Sequence, residues 1–440
     1  MNVGGWGNYP IVDANIVDLE HVDISSLENF IPRGMGRSYG DSSLSSNLVS
    51  MLKHNRILSF DNITGEIKVE SGVTLSDIVD VFAPMGWFPA VTPGSKLVTI
   101  GGMVASDVHG KNHHLHGSFG KYVLEINLLQ PSGNILKCNL KENSDVFLAT
   151  IGGMGLTGVI LDVKFRLIPI ETSYIRQETL IANNLDELMD LFESSHNCTY
   201  SVAWVDCLAE GKDLGKSVLF LGEHAKIKDI PENNRQKPLI QKKRKQYSIP
   251  FFFPSFFLNY LTIKIFNFIY FSLNSLGKSK SVVSLDTFFY PLDAIIGWNK
   301  LYGKKGFIQY QFCLPKKKSK EVLKKILVKI SKNKSGSFLA VLKLLGRQQG
   351  CLSFPQEGYT LALDFPFSQR NLKLLDELDL IVHDNGGRVY LTKDARLSSK
   401  NFARGYPRID DFIKIKKKVD PKNRILSLQW IRLQSRNKKK

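Results

Sequence analysis

Residues 32–43 read PRGMGRSYGDSS, with three glycines and two arginines set among serines and one tyrosine. Glycine lets a backbone approach a ligand closely and adopt positive φ, and successive N–H groups in such a turn make a concavity for anions. The stretch therefore predicts a loop that holds a phosphate. Two more glycine-dotted stretches follow it, TPGSKLVTIGGMVASDVHGKNHHLHGSFG at 92–120 and ATIGGMGLTGVI at 149–160. Neither sets G-x-G-x-x-G at the opening of a helix inside a βαβ unit, so a Rossmann dinucleotide site is not supported. Separate glycine loops arranged around one extended ligand are expected instead.

The surroundings of these loops read as mixed α and β structure. NLVSML, EIKVESG and VLEINLLQPSGNILKCNL are strand-like, and Pro131, Ser132 and Gly133 make a hairpin turn in the last. Leu75, Ile78, Val79 and Phe82 have the spacing of one helix face, ended by Pro84 and Gly86. From 171 the pattern changes to strands such as YSVAWVDCLA and GFIQYQFCLP and helices such as SKEVLKKILVKISKN. A chain of 440 residues with 43% hydrophobic and 23% charged residues is folded and has about two domains. The divisions expected are 1–170, 171–387, and a segment 388–440 returning to the first domain.

The net charge is +18, much of it in the runs QKKRKQ at 241–246, PKKKSKEVLKK at 315–325, KIKKKVDPKNR at 414–424 and the terminal NKKK. Such runs attract phosphates on membranes or nucleic acid, or are simply solvated surface. The segment IPFFFPSFFLNYLTIKIFNFIYFSLNSLG at 249–277 is dense in phenylalanine, but Pro254, Asn259, Lys264 and Asn267 interrupt it. A spanning helix needs about 20 apolar residues. The reading favoured is an interfacial element on an anionic membrane surface, with a core hairpin or helix and a spanning helix as the alternatives. Five cysteines without a C-x-x-C pair indicate neither a disulfide framework nor a zinc site. With no secretory pattern at the N-terminus, a cytoplasmic location is expected, peripheral at the inner face of the cell membrane.

Together GMGRSYGDSS, TPGSKLVTIGGMVASDVHGKNHHLHGSFG, GGMGLTGVI, FIQYQFCLP, VYLTKDAR and KKKVDPKNRILS resemble the FAD-linked oxidases of the vanillyl-alcohol oxidase type. The similarity is narrowest with the branch that oxidises the ribose 2′-hydroxyl of decaprenylphosphoryl-β-D-ribose. It runs nearly the full length, with 208–280 poorly matched. The resemblance implies an α+β fold, a two-domain FAD-binding PCMH-type arrangement with an antiparallel-sheet substrate domain.

It also implies site residues. Gly34, Gly36, Arg37, Ser38 and Tyr39 would wrap the FAD diphosphate. Pro93, Gly94, Ser95, Thr99, Gly101, Gly102, Ala105 and His109 would surround the flavin and diphosphate, and Gly153, Gly155, Gly158 and Ile160 the adenosine side. Tyr39 stands where relatives with covalent flavin carry histidine, so non-covalent FAD is expected. Oxidation of an alcohol needs hydride transfer to flavin N5, loss of the hydroxyl proton, and a cation near the flavin N1 and C2 carbonyl. Lys393 is the first candidate for the catalytic position, with Tyr390 beside it, while His109 would relay a proton and Tyr39 complete the catalytic set. Lys111, Gln311, Lys343, Trp204 and Trp298 would face the substrate. The four histidines of HGKNHHLHG are not read as a metal site, since no carboxylate or cysteine stands at ligand spacing.

Two departures from the family stand out. Ala362 replaces the cysteine that covalent inhibitors target in the best-known members, and Phe289-Tyr290-Pro291 replaces Tyr-His-Pro. The expected partners are a polyprenyl-phosphate sugar, a keto-reductase completing a 2′-epimerisation in cell-envelope synthesis, and a quinone or oxygen as electron acceptor. The alternatives are an alditol or D-arabinono-1,4-lactone oxidase on a soluble substrate, and a non-catalytic basic protein binding membrane or nucleic acid; nucleic acid is not among the expected partners.

Overall fold

The structure is a computed structural model that describes residues 1–240, 244–254, 257–348 and 350–435. Lys242 and Lys243 of the basic run and the lysines of the terminal NKKK lie outside them.

The turn at Pro131–Gly133 joins Val123–Leu129 to Ile135–Cys138 as antiparallel strands. Val123–Leu129 alternates inward Ile126 and Leu128 with outward neighbours, as a half-buried strand must. These two strands edge a mainly antiparallel sheet whose order continues through Val159–Pro169, Glu66–Glu70 and Ile57–Phe60. The helix Leu75–Phe82 packs on this unit with Leu75, Ile78, Val79 and Phe82 buried. Its start is fixed by a reciprocal cap: the Thr74 hydroxyl accepts from the Asp77 N–H, and the Asp77 carboxylate accepts from the Thr74 N–H at 2.9 Å. Beside it, a small parallel sheet of Asn15–Asp18, Asn47–Ser50 and Phe30–Arg33 releases the chain into the loop at 34–43.

A second unit is one eight-stranded antiparallel sheet. Its order is Lys280–Ser284, Tyr174–Ala182, Ser217–His224, Tyr200–Val205, Val341–Leu345, Gly358–Pro366, Phe307–Pro315 and Arg388–Val389. Helices Lys316–Lys332 and Gln369–Asp384 cover one face, where Tyr310 donates to Asp379 at 3.0 Å. The other face looks toward the glycine loops. The architecture is α+β, with the antiparallel sheet expected for the substrate side.

The C-terminal segment serves both units. Arg388–Val389 extends the large sheet, whereas Leu426 N–H donates to Phe30 and Leu428 N–H to Leu44 in the first unit. The stretch 92–120, which reads as loop, contains short helices Ile100–Ala105 and His113–His116, because glycine spacing masks their few apolar positions. The phenylalanine-rich segment forms a 17-residue helix, Tyr260–Leu276. Only Ile263 and Asn267 of this helix are buried, so it is no core hairpin. Among the described residues no helix is long and apolar enough to cross a membrane.

Candidate active site

Between the two units lies a cavity of about 1060 Å³, reached by every sequence-predicted site residue except Gly153. A Cβ on Gly153 would lie 2.2 Å from the Ala149 carbonyl oxygen, so this glycine serves close approach to the preceding helix. Gly155, Gly158 and Ile160 do line the cavity.

The register of the large sheet builds the cavity floor. Trp204 pairs with Val341, Val341 with Ala362, and Ala362 with Gln311, which sets all four in one row across neighbouring strands. The adjacent row aligns Lys343 with Thr360. Trp204 is pinned by its indole N–H to the Phe338 carbonyl at 3.0 Å and meets Tyr270 of the phenylalanine-rich helix, centroids 4.7 Å apart. Trp298 forms another wall, 5.6 Å from Phe307.

The opposite wall is the first unit's loops. The Tyr39 N–H donates to the Thr392 carbonyl at 2.9 Å, tying the loop to the turn that carries Lys393. The Lys393 ammonium lies 4.0 Å from the Tyr39 ring centroid. Arg37 stacks over Trp6 at 4.0 Å and donates to the Leu97 carbonyl. Ser38 shares a 2.9 Å hydrogen bond with Ser43. Tyr390 is anchored by its hydroxyl to the Ser106 carbonyl at 2.9 Å and stacks on Phe354.

Three lysines line the cavity, and each is partly buried. Burial lowers Lys393 to about 7, with Asp364 opposing that shift and Lys343 adding to it. Burial and Lys343 lower Lys111 to about 7, and burial lowers Lys343 to about 8. Three ammonium groups without enough carboxylate nearby repel one another and seek an anion. Lys111 meanwhile donates to the Phe288 carbonyl and sits over the Phe288 ring at 4.3 Å.

His109 is held neutral by burial and by Lys343, His113 and Lys393. The Gln311 amide donates to its Nε2 at 3.0 Å, so the ring proton sits on Nδ1, which has no partner among the described residues. The other histidines of the run go elsewhere: His113 accepts from the Gly346 N–H, His114 meets the Cys198 carbonyl and His116 the Tyr122 hydroxyl.

The cavity fits a dinucleotide flavin. At Gly94 a Cβ would meet nothing within 4 Å, so a side chain there would project into ligand space. At Gly34 a Cβ would collide with the Thr99 side chain at 2.2 Å, and Gly36 adopts φ +62°, so the loop requires glycine at both. The buried Ser71 hydroxyl on the cavity also has no partner among the described residues. Residues of the Gly34–Tyr39 loop and of 93–105 would hold the diphosphate and ring system, with Lys393, His109 and Tyr390 beside them.

Sequence reasoning missed Gln309, Thr360, Asp364 and Asp293, all on the cavity or bonded to its lining. Gln309 lies two residues before Gln311, and the period of a strand would have found it. Asp364 accepts from Gln309 at 2.7 Å, and burial raises it to about 7, opposed by Gln309, Lys393 and Tyr302. Asp293 accepts from the Lys96 N–H at 2.8 Å across 197 residues of chain, a contact with no local signal. Of the divergent tripeptide, Phe289 and Pro291 line the cavity.

Residues 26–139 match the family described as FAD binding domain. The chain is 37% identical over 397 residues to decaprenylphosphoryl-β-D-ribose oxidase of Mycolicibacterium smegmatis, covering 89% of this chain and 86% of that protein. It is 31% identical over 147 residues to bovine L-gulonolactone oxidase, 33% of this chain and 32% of that one. A D-lactate dehydrogenase of Anaerostipes hadrus is 31% identical over 133 residues, 29% of this chain and 28% of that one.

Proposed function

The chain belongs to the family of FAD-linked oxidases that includes decaprenylphosphoryl-β-D-ribose oxidase, and from that premise we propose that it oxidises the 2′-hydroxyl of a polyprenylphosphoryl ribose. It is an FAD-dependent oxidoreductase. The observation that carries the substrate reading is the trio Lys111, Lys343 and Lys393 on one cavity whose floor also presents Gln311 and Trp204. A sugar offers hydroxyls to the amide and a face to the indole, and its phosphate offers charge to the lysines.

Bound flavin supplies the two-electron acceptor for the alcohol carbon. The chain's own residues orient the sugar and move its proton. Lys393, lowered to about 7, has its neutral amine available near neutral pH to take the hydroxyl proton, and the ammonium so formed adds positive charge to the cavity. Lys111 and Lys343 hold the phosphate, and Gln311 fixes His109 with its Nδ1–H free to donate. FAD is held non-covalently, the keto product passes to a keto-reductase that completes the epimerisation toward the arabinose sugar, and a quinone or oxygen takes the electrons.

The test is anaerobic spectroscopy of the purified flavoprotein. Polyprenylphosphoryl ribose should bleach the flavin band, and denaturation should release free FAD. Bleaching by alditols or aldonolactones, and not by the lipid sugar, would replace this reading with a soluble-substrate oxidase.

A further inference from the structure

The phenylalanine-rich helix Tyr260–Leu276 has two apolar faces with different neighbours. Ile263, Phe266, Tyr270 and Asn274, at helical spacing, line the catalytic cavity. Leu261, Ile265, Phe268, Ile269, Leu273 and Leu276 are exposed. On a helical projection these six fall in one arc, turned away from the cavity-lining face. The helix is seated by buried Asn267, which donates to Asp206 at 2.6 Å, by Phe266 edge-on to Phe338, and by Tyr270 against Trp204. Just before the helix, Phe251, Phe252 and Phe257 are also exposed, and Phe257 lines the cavity too.

Along the stretch of chain that carries this surface, charge is of one sign. No aspartate or glutamate occurs from Asn233 to Leu285, a stretch holding nine lysines and arginines. Lys264 and Lys334 stand beside Tyr260 at the start of the helix, and exposed Lys278 and Lys280 follow its end. A second copy of this surface would be repelled by it, whereas an anionic headgroup layer complements it. The helix is not long and apolar enough to cross a bilayer, and lying in the interface is the remaining way to bury such a stripe in lipid.

We propose that the outer stripe of Tyr260–Leu276 docks in an anionic bilayer and that the inner face of the same helix forms the rail along which a prenyl chain passes from lipid into the cavity. The inference rests on the lipid-sugar reading and adds its route. The substrate then reaches Lys393 without its tail crossing water, because Phe257 and Phe266 belong both to the exposed apolar surface and to the cavity lining.

The experiment uses FAD-loaded protein and sedimentation with vesicles of phosphatidylcholine, alone or mixed with phosphatidylglycerol. Wild type should partition onto the mixed vesicles at low salt. Phe268→Glu/Leu273→Glu should lose partitioning by about 100-fold, since a charge replaces each inserted side chain. Leu276→Glu, at a position 88% exposed, gives a second reading that cannot disturb the core. Both variants should keep their flavin and its reduction by a short, water-soluble prenylphosphoryl ribose, while turnover of long-chain substrate in vesicles falls with binding. Wild type left in the supernatant, variants that bind as well as wild type, or a dimer in sedimentation that hides the stripe would each overturn the proposal. If short-chain substrate reduces neither protein, the catalytic reading falls, and the vesicle result is still read from sedimentation alone.

Discussion

At the scale of single residues, Lys393 is the test of the chemistry. Replacing it by methionine should slow anaerobic flavin reduction about 10²–10³-fold while flavin content is unchanged. Because Lys393 is lowered to about 7, the fraction of neutral amine grows as pH rises through that value. The reduction rate of wild type should therefore climb across about pH 7 and level off above it. A rate that falls over the same interval would assign the lysine the role of fixed cation. Ala362 makes a second prediction. The cavity lining contains no cysteine among the described residues, and the buried thiols Cys138, Cys207 and Cys313 are pushed up to about 12, 12 and 11. Thiol-directed reagents shaped for this cavity should leave wild type unlabelled in mass spectrometry and label Ala362→Cys, with loss of activity only in the variant.

Lys393 and the glycine loops were legible because each sits in a contiguous motif. Asp364 and Thr360 were not, since they reach the site only through the pairing of Gly358–Pro366 with Phe307–Pro315, where Asp364 faces Gln309. No window along the chain carries that register. Gly153 shows the converse: a motif glycine can serve a helix end and not a ligand.

At the scale of elements, the helix face of Leu75–Phe82 and the turn at Pro131–Gly133 were readable and long-range seating was not. Thr74, directly before the first buried residue Leu75, and Asp77 three residues on have the spacing of a capping pair, and the structure forms the reciprocal cap. Thr74→Ala should cost about 1 kcal/mol, read as a shift in the denaturant midpoint without a change in slope. The helix Tyr260–Leu276 was visible as an apolar interruption of the substrate domain, but its composition does not say which face meets the cavity. Trp204, on a strand more than fifty residues earlier, decides that by meeting Tyr270.

At the scale of the whole molecule, residues late in the chain add to the links between the two units. Arg432 grips Asp41 through two nitrogens, at 3.0 and 2.8 Å, and reaches Asp394 at 2.8 Å. Both carboxylates are almost wholly buried, and Asp394 directly follows Lys393. Arg432→Ala strands two buried charges and should destabilise the fold by about 3–5 kcal/mol in denaturant unfolding. The same variant should release flavin more readily, because Asp41 lies two residues from Tyr39 on the loop proposed to hold FAD. Arg432→Lys keeps the charge but cannot reproduce the fork, and it should fall between the two.

The closing of the cavity by Tyr390 and Lys393, set against a loop that ends at Tyr39, also orders events during synthesis. More than 350 residues separate the two sides of one pocket. A ribosome makes the glycine loops long before the turn that carries Tyr390 and Lys393 emerges. Cofactor loading should thus be a late event, and a chain truncated before residue 390 should retain less FAD than the full chain, read as flavin absorbance per protein after purification.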